Sequence, residues 1–269
     1  MRSDRAPGVV LDAMKIATWN VNSIRARQER VLAWLAAESP DVLCLQELKA
    51  IDEQFPVLEY QALGYECAVY GQRTYNGVAI LARSELTQVE RGIGPSTADA
   101  QARFIAATVR GLRVASVYVP NGEAVASEKF AYKLAWMARL KVYAAAQLAA
   151  REPLLLCGDF NVAPEPIDVH DPARWDGHVM FSQPERAAFA ELLGIGLVDV
   201  VRVLNPDQAI FTWWDYRQLA FPKNHGWRID HVLAAPILRE RMRSARVDRN
   251  ARKGQQPSDH APVVVELAD

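Results

Sequence analysis

One stretch organises this sequence: Leu154-Leu155-Leu156-Cys157-Gly158-Asp159-Phe160-Asn161. Four apolar residues in succession are typical of a short strand that is buried on both faces. Asp159 and Asn161 are two positions apart, so in an extended chain both side chains leave the backbone on the same side. A carboxylate and an amide at the end of a buried strand are costly unless they bind a polar partner. Taken alone, the stretch also fits an ordinary turn at a strand end.

Strand and helix patterns alternate along the chain. Residues 15–19 and 42–45 are predicted strands, and between them an apolar stripe from Ile24 to Leu35 predicts a helix. This β-helix-β order predicts a layered α/β protein. A long helix is expected after Gly122, a second one over residues 184–193, and a long ordered loop over residues 162–183. Further strands are predicted at residues 65–70, 78–82, 104–109, 112–119, 197–203, 210–214, 229–234 and 262–267.

The composition is that of a globular chain with a large apolar core. Of 269 residues, 50% are hydrophobic, and the formal net charge is -1, so global charge does not indicate a nucleic-acid partner. The three cysteines, Cys44, Cys67 and Cys157, lie in apolar runs without a CxxC pair, which favours a reducing, cytoplasmic setting. No apolar run is long enough to span a bilayer. We expect a flexible extension over residues 1–13, which lack a signal-peptide core, and one domain over residues 14–269.

Polar residues recur where the predicted apolar strands end. They are Asn20, Glu47, Tyr118, Asp159 with Asn161, Asp230 with His231, and Asp259 with His260. If parallel or mixed sheets gather these ends at one edge, four carboxylates meet there, and they cannot all stay ionised without a counter-cation. Oxygen-rich ligation of this kind suits Mg²⁺ or Mn²⁺, and no Cys/His cluster suits zinc.

Eight sequence fragments together resemble one family. They are residues 19–27 (WNVNSIRAR), 45–47 (LQE), 75–79 (YNGVA), 118–122 (YVPNG), 158–164 (GDFNVAP), 213–217 (WWDYR), 226–230 (GWRID) and 258–263 (SDHAPV). A single short fragment is a weak signal, but eight in the family's order are specific. The chain resembles exonuclease III and the related abasic-site endonucleases of the endonuclease/exonuclease/phosphatase superfamily, from about Met14 to the C-terminus.

The resemblance implies a four-layer α/β sandwich, with two mixed sheets face to face and helices outside. It implies that Glu47 is the main Mg²⁺ ligand, with Asn20 and Asp259 close to the metal and Mn²⁺ able to substitute. Asp159, helped by Asn161, resembles the group that orients and deprotonates the attacking water. The remaining implied catalytic residues are His260, which polarises the phosphate, Asp230, which holds its ring, and Tyr118, which contacts the scissile phosphate.

Substrate recognition is expected to use aromatic and basic side chains. By resemblance, Trp214, Trp227 and Ile229 form a pocket for a flipped-out abasic sugar, because a base-free sugar flips easily, while Trp213 is assigned to the core by default. A basic run lies between Arg239 and Lys253, and a solvated helix and loop would explain it as well as a binding patch. The candidates to contact DNA phosphates are Arg25, Arg27, Arg73, Arg217, Lys223, Arg228, Arg249 and Arg252.

The implied function is that of a Mg²⁺-dependent DNA-repair phosphodiesterase. It would cut the DNA backbone 5′ to abasic sites and trim 3′ ends of duplex DNA, as a 3′-phosphatase and 3′-5′ exonuclease in base excision repair. The expected partner is double-stranded DNA with abasic sites or blocked 3′ ends. The protein is expected to be a cytoplasmic monomer that does not bind a membrane. Two alternatives stay open: another phosphoesterase of the superfamily, of the inositol-phosphate or sphingomyelin type, and a catalytically inactive DNA-binding homologue.

Overall fold

Twelve strands and six α-helices occur in the parts of the chain that the structure, a computed structural model, describes: residues 13–94 and 100–269. Apart from Ala13, the predicted N-terminal extension lies outside them. The strands are β1 Met14–Asn20, β2 Val42–Gln46, β3 Glu66–Tyr70, β4 Val78–Ala82, β5 Thr87–Arg91, β6 Phe104–Val109, β7 Leu112–Tyr118, β8 Leu154–Asp159, β9 Val198–Asp199, β10 Asp230–Ala234, β11 Met242–Val247 and β12 Val263–Leu267. The helices are α1 Ile24–Glu38, α2 Val57–Ala62, α3 Glu128–Ala149, α4 Pro172–Trp175, α5 Gln183–Gly194 and α6 Val200–Leu204.

The strands form two six-stranded mixed sheets. Their orders are β11-β12-β1-β2-β4-β3 and β5-β6-β7-β8-β10-β9. In the first sheet β1 runs parallel to β2 and antiparallel to β12. In the second sheet β8 runs parallel to β7 and antiparallel to β10. The carboxyl ends of β1 and β2, and those of β7 and β8, therefore each come to one edge of their sheet.

Side-chain alternation gives each sheet an inner and an outer apolar face. The inner faces pack together, and Ile16 and Cys44 of one sheet share a buried cluster with Val114 and Cys157 of the other. The outer face of the first sheet packs against α1, and that of the second packs against α3 and α5. The predicted four-layer α/β sandwich is confirmed. Among the described residues, no helix combines the length and apolar character needed to cross a membrane.

Two predicted strands are wrong, and two strands of the structure were not predicted. In the segment 197–203 only Val198 and Asp199 form a strand, because the Asp199 side chain accepts a hydrogen bond from the amide of Arg202 and caps α6. Residues 210–214 form no strand and make only isolated bridges at Trp213. The unpredicted strands, β5 and β11, lie at sheet edges. Their side chains are mostly exposed or half-buried, so they lack the apolar pattern of a central strand.

Gly158 allows β7 and β8 to approach each other closely just before the polar end of β8. A Cβ atom at this position would lie 1.8 Å from the carbonyl oxygen of Val117. Because that neighbour is backbone in a central strand, it cannot move without breaking the parallel ladder.

We expect Gly158→Ala to lower the free energy of unfolding by about 3 kcal/mol or more, because the added methyl group overpacks the inter-strand contact. Gly194→Ala is the matched control, since a Cβ at Gly194 near the end of α5 meets nothing within 4 Å. Urea denaturation of both variants measures the difference. Equal stability of the two variants would contradict this account of the β7–β8 contact.

Candidate active site

The side-chain amide of Asn20 joins the two sheets at the edge where the polar strand ends meet. Its Nδ2 donates to Glu47 Oε1 and to Asp159 Oδ2, each at 2.9 Å. Asn20 ends β1 of the first sheet, and Asp159 ends β8 of the second. Asn20 is fully buried and Asp159 is 1% exposed. One amide therefore fixes the separation of two carboxylates, one directly after β2 and one at the end of β8.

A second polar link lies behind this amide, between the sheets. The buried Gln46 side chain donates to the hydroxyls of Thr18 and Ser116, each at 3.0 Å. The Ser116 hydroxyl donates in turn to the carbonyl of Leu45 at 2.9 Å. Because Gln46 precedes Glu47, and Ser116 lies two residues before Tyr118 on β7, these bonds align the two polar strand ends.

His260 and Asp230 form a buried ion pair. The His260 Nδ1 lies 2.8 Å from Asp230 Oδ2, and its Nε2 lies 3.8 Å from Asp159 Oδ2. Burial alone would lower the pKa of His260, but the carboxylates of Asp230 and Asp159 reverse that effect and raise it to about 10. The imidazole is therefore protonated at neutral pH, with Nδ1–H on Asp230 and Nε2–H directed toward the space beside Asp159.

The environment of Asp159 disfavours the ionised form of its carboxyl group. Burial raises its pKa to about 7 against the opposing pull of His260, and the charges of Asp230 and Glu47 add to the rise. Its Oδ1 accepts the backbone amide of Asn161 at 2.9 Å. A carboxyl group held in this way can accept a proton near neutral pH.

Tyr118 and Asn161 complete the group of polar strand ends. Burial, followed by the charges of Glu47 and Asp159, raises the pKa of Tyr118 well above its usual value, so its hydroxyl stays protonated. Arg103 lies over its ring at 4.7 Å. The Asn161 Nδ2 donates to the Val119 carbonyl at 3.0 Å, and its Oδ1 accepts from Asn121 Nδ2 at 3.1 Å.

Both carboxylate oxygens of Asp259 accept hydrogen bonds. Its Oδ1 accepts from Asn22 Nδ2 and its Oδ2 from the indole of Trp213, each at 2.9 Å. Burial favours the neutral form, but His260 and these two hydrogen bonds outweigh it and lower the pKa of Asp259. Asn22 also accepts from the ammonium of Lys49 at 2.6 Å, and that ammonium lies 2.9 Å from Glu47 Oε2.

The donor set fits a hard divalent cation. Among the described residues one group could hold a metal ion, and it consists of Glu47, Asp159 and His260, with one ligand atom of each within 4.8 Å of the others. His260 is the poorest ligand of the three, because its ring is protonated and only a neutral imidazole nitrogen binds metal. The carboxylates of Glu47 and Asp159 are the oxygen donors that Mg²⁺ or Mn²⁺ prefers. Asn20 directs its Nδ2 at both of them, and its Oδ1 accepts from the Asn22 amide at 3.0 Å.

An aromatic cavity of about 520 Å³ opens beside the site, and Trp213, Trp227 and Trp175 line it. The structure therefore reverses the predicted burial of Trp213 and Trp214. Trp214 is 0% exposed and packs among Phe211, Ala220 and Ala261, whereas Trp213 lines the cavity. Ile229 packs behind Trp227 and does not line the cavity.

Two of the predicted phosphate contacts are wrong. Arg228 is fully buried, with Nε 2.6 Å from Asp168 Oδ1 and Nη1 2.7 Å from Asp199 Oδ2. Arg252 is 6% exposed and donates to the Trp214 carbonyl. Both guanidinium groups bind partners inside the protein and are therefore not available to DNA phosphates. Arg27 is half-buried and donates to the Asn22 carbonyl and the Tyr216 hydroxyl. The remaining candidates are exposed at the surface: Arg25, Arg73, Arg217, Lys223 and Arg249.

His231 does not join the site, although it follows Asp230. Neighbouring residues on β10 face opposite sides of the sheet, so the His231 Nε2 lies 2.8 Å from the Val162 carbonyl and its ring contacts Phe160 and Phe189. The structure thus brings together Asn20, Glu47, Tyr118, Asp159, Asn161, Asp230 and His260, with Asp259 tied to them through Asn22 and Lys49.

Sequence reasoning assigned no role to Asn22, Lys49 or Asn121. Asn22 and Asn121 lie in fragments that carried the family resemblance, and Lys49 lies two residues after Glu47. Their polarity close to assigned residues was the available signal. Their partners were not, because the bonds to Asp259, Glu47 and Asn161 join distant parts of the chain.

Comparison with known proteins places the chain in a family. It matches the Endonuclease/Exonuclease/phosphatase family over residues 17–260. Exodeoxyribonuclease III of Haemophilus influenzae is 37% identical over 266 residues, which cover 94% of this chain and 100% of that protein.

Solved structures agree with this match. A 3′ phosphatase from Neisseria bound to a product DNA hairpin superimposes with a TM-score of 0.93 at 44% identity, over 95% of this chain and 100% of that one. An AP endonuclease from Archaeoglobus fulgidus gives a TM-score of 0.90 at 40% identity, over 94% and 99% of the two chains. The chain therefore belongs to the endonuclease/exonuclease/phosphatase family, and it is a hydrolytic nuclease of the exonuclease III and AP endonuclease type.

Proposed function

We propose that this nuclease is a Mg²⁺-dependent DNA-repair phosphodiesterase that cuts the backbone 5′ to abasic sites and removes blocking groups or nucleotides from 3′ ends of duplex DNA. One observation carries the proposal: the buried Asp159 carboxylate lies 3.8 Å from the imidazolium that Asp230 holds, and Glu47 offers a ligand atom within 4.8 Å of both. A base, a fixed positive charge and a carboxylate site for a cation are what phosphodiester hydrolysis needs.

In the proposed mechanism Asp159 orients the attacking water and takes its proton. The Asn20 amide and the Asn161 backbone amide fix the two oxygens of its carboxylate. His260, held protonated by Asp230, donates to a non-bridging phosphate oxygen, and the neutral Tyr118 hydroxyl contacts the scissile phosphate. Both donors are directed before substrate arrives, so little reorganisation accompanies the reaction.

Glu47 and Asp159 would hold the divalent cation, and the Asn20 amide would keep the two carboxylates at their spacing. When bound, the cation supplies positive charge to the phosphate oxygens. Asp259 would add negative charge near it. Four carboxylates meet here, from Glu47, Asp159, Asp230 and Asp259, and Lys49 and His260 are the cationic side chains that contact them within the described residues. This excess of negative charge supports a cation in the working enzyme.

DNA is the proposed substrate because of the relatives and the cavity. The Neisseria phosphatase holds a DNA hairpin product, and the cavity next to the site offers indole rings on which an extruded sugar can pack. The exposed Arg25, Arg73, Arg217, Lys223 and Arg249 remain the proposed phosphate contacts, and we propose that the enzyme acts as a monomer.

Product analysis on one set of duplexes tests the function. In Mg²⁺ or Mn²⁺ we expect cleavage 5′ to an abasic site, release of phosphate from a blocked 3′ end, and shortening of a recessed 3′-hydroxyl strand. EDTA should abolish all three activities, because it removes the divalent cation that the oxygen ligands of the protein would hold. Sphingomyelin vesicles are the control and should stay intact. Full activity in EDTA, or hydrolysis of the lipid alone, would overturn the proposal.

Asp159→Asn should reduce turnover by about two to four orders of magnitude, because it keeps the shape of the side chain but removes the proton acceptor. DNA binding, followed by fluorescence anisotropy, should persist. Asp207→Asn at an exposed position is the control and should behave like the parent protein. Turnover of Asp159→Asn within tenfold of the parent would show that another group is the base.

The adjacent residues Trp213 and Trp214 should respond differently to truncation. Trp213→Ala widens the cavity, so the ratio of kcat/KM for abasic over intact sites should fall, because a wider pocket no longer excludes a base. Trp214→Ala empties a core position and should lower stability by about 3–5 kcal/mol with an unchanged ratio. Thermal melting and the two rate constants measure both effects. A changed ratio only in Trp214→Ala would refute the reassignment.

A further inference from the structure

A fully buried lysine lies directly under the turn that carries Asp159. Lys133 on α3 is 0% exposed. Its ammonium donates to the Asn161 carbonyl at 2.7 Å, to the Asn121 carbonyl at 3.1 Å, and to the carboxylate of Glu185 on α5. An ammonium has three protons to donate, so each of them has a partner. Two of those partners belong to the polar segments that follow β7 and β8.

Burying this charge is costly, and stability alone does not account for it. Burial lowers the pKa of Lys133, and Glu185 opposes the shift. Apolar residues of similar volume often replace a buried ion pair without loss of stability. The other Glu185 oxygen already accepts from the amide and the hydroxyl of Ser182, at 2.9 and 2.7 Å. Glu185 therefore caps α5 and neutralises the lysine, while the remaining donors of Lys133 are directed at the active-site backbone.

The turn above Lys133 is built around Asn161. Asn161 has a φ of 50°, in the left-handed region that non-glycine residues seldom adopt. Its amide binds Asp159 Oδ1, and its side chain binds the Val119 carbonyl and Asn121. Those bonds set the direction of the Asp159 carboxylate. Lys133 holds the carbonyls of both asparagines, so it fixes the position of the turn relative to β7.

We propose that Lys133 is a positioning residue for the hydrolytic reaction, holding the Asn161 and Asn121 carbonyls so that the Asp159 carboxylate keeps its place beside His260. This proposal rests on the proposed role of Asp159 as the base. Lys133 touches neither the substrate space nor the reacting atoms; it acts through the backbone of the turn.

A double variant, Lys133→Met with Glu185→Gln, removes both charges and keeps the acceptor that caps α5. We expect it to fold, with kcat lowered by about 10- to 100-fold, because a displacement of about 1 Å in a catalytic group costs that much. The KM for the duplex should stay within about threefold, since binding in the ground state is untouched. The assay is steady-state hydrolysis of the 3′-phosphate duplex, beside a melting curve.

The same two helices supply the matched control. Lys141 on α3 and Glu191 on α5 form an ion pair at 2.6 Å, with side chains 35% and 60% exposed. Lys141→Met with Glu191→Gln makes the same chemical change at the surface and should leave kcat and KM unchanged. A folded Lys133→Met/Glu185→Gln protein with parental kcat would overturn the proposal, as would an equal loss in the control or a rise of KM alone.

If the double variant does not fold, Glu185→Gln alone decides the question. This variant keeps the Lys133 donors to both carbonyls, so it should lose melting temperature but retain kcat within about threefold, measured below its transition. A collapse of kcat in folded Glu185→Gln would overturn the proposal. Failure of the base assignment is recognised separately, because Asp159→Asn would then stay active whatever the Lys133 variants do.

Discussion

The hydrogen bonds of the Asn20 amide connect the two halves of this enzyme. One donor group serves Glu47 of its own sheet and Asp159 of the opposite sheet. A buried amide without partners costs free energy, so these bonds favour the packing of the two sheets that brings both carboxylates to Asn20. The same hydrogen bonds therefore contribute to the packing of the two sheets and to the geometry of the active site.

Buried charge is tolerated here because each charged group has a partner of opposite sign or a full set of hydrogen bonds. Asp230 pairs with His260, Asp168 and Asp199 surround Arg228, and Glu185 neutralises Lys133. Asp159 is the exception, since its pKa rises to about 7 under the combined effect of burial and neighbouring carboxylates. A poorly stabilised carboxylate beside well-paired ones is typical of a functional site.

The basic residues show how burial separates structure from recognition. In the sequence, Arg228 follows the aromatic Trp227 and Arg249 follows the polar Asp248, and neither position reveals whether the guanidinium is buried. In the folded chain the Arg228 guanidinium closes a buried ion cluster, whereas Arg249 stacks over the ring of Trp214 at 5.3 Å and remains exposed. Only a guanidinium that water can reach is available to a phosphate, and exposure depends on the surrounding elements.

The sequence by itself determined the fold class and the polar strand ends. Short apolar runs such as residues 154–157 specify central strands through their own composition, and residues like Asn20, Glu47 and Asp159 follow directly from where those strands end. Tertiary structure decided what depends on distant partners. Edge strands β5 and β11 form because a neighbouring strand offers hydrogen bonds, not because their side chains are apolar. Trp213 faces the cavity and Trp214 the core, and Arg228 is buried by carboxylates that lie 60 and 29 residues away. These outcomes rest on contacts through space, which no local pattern encodes.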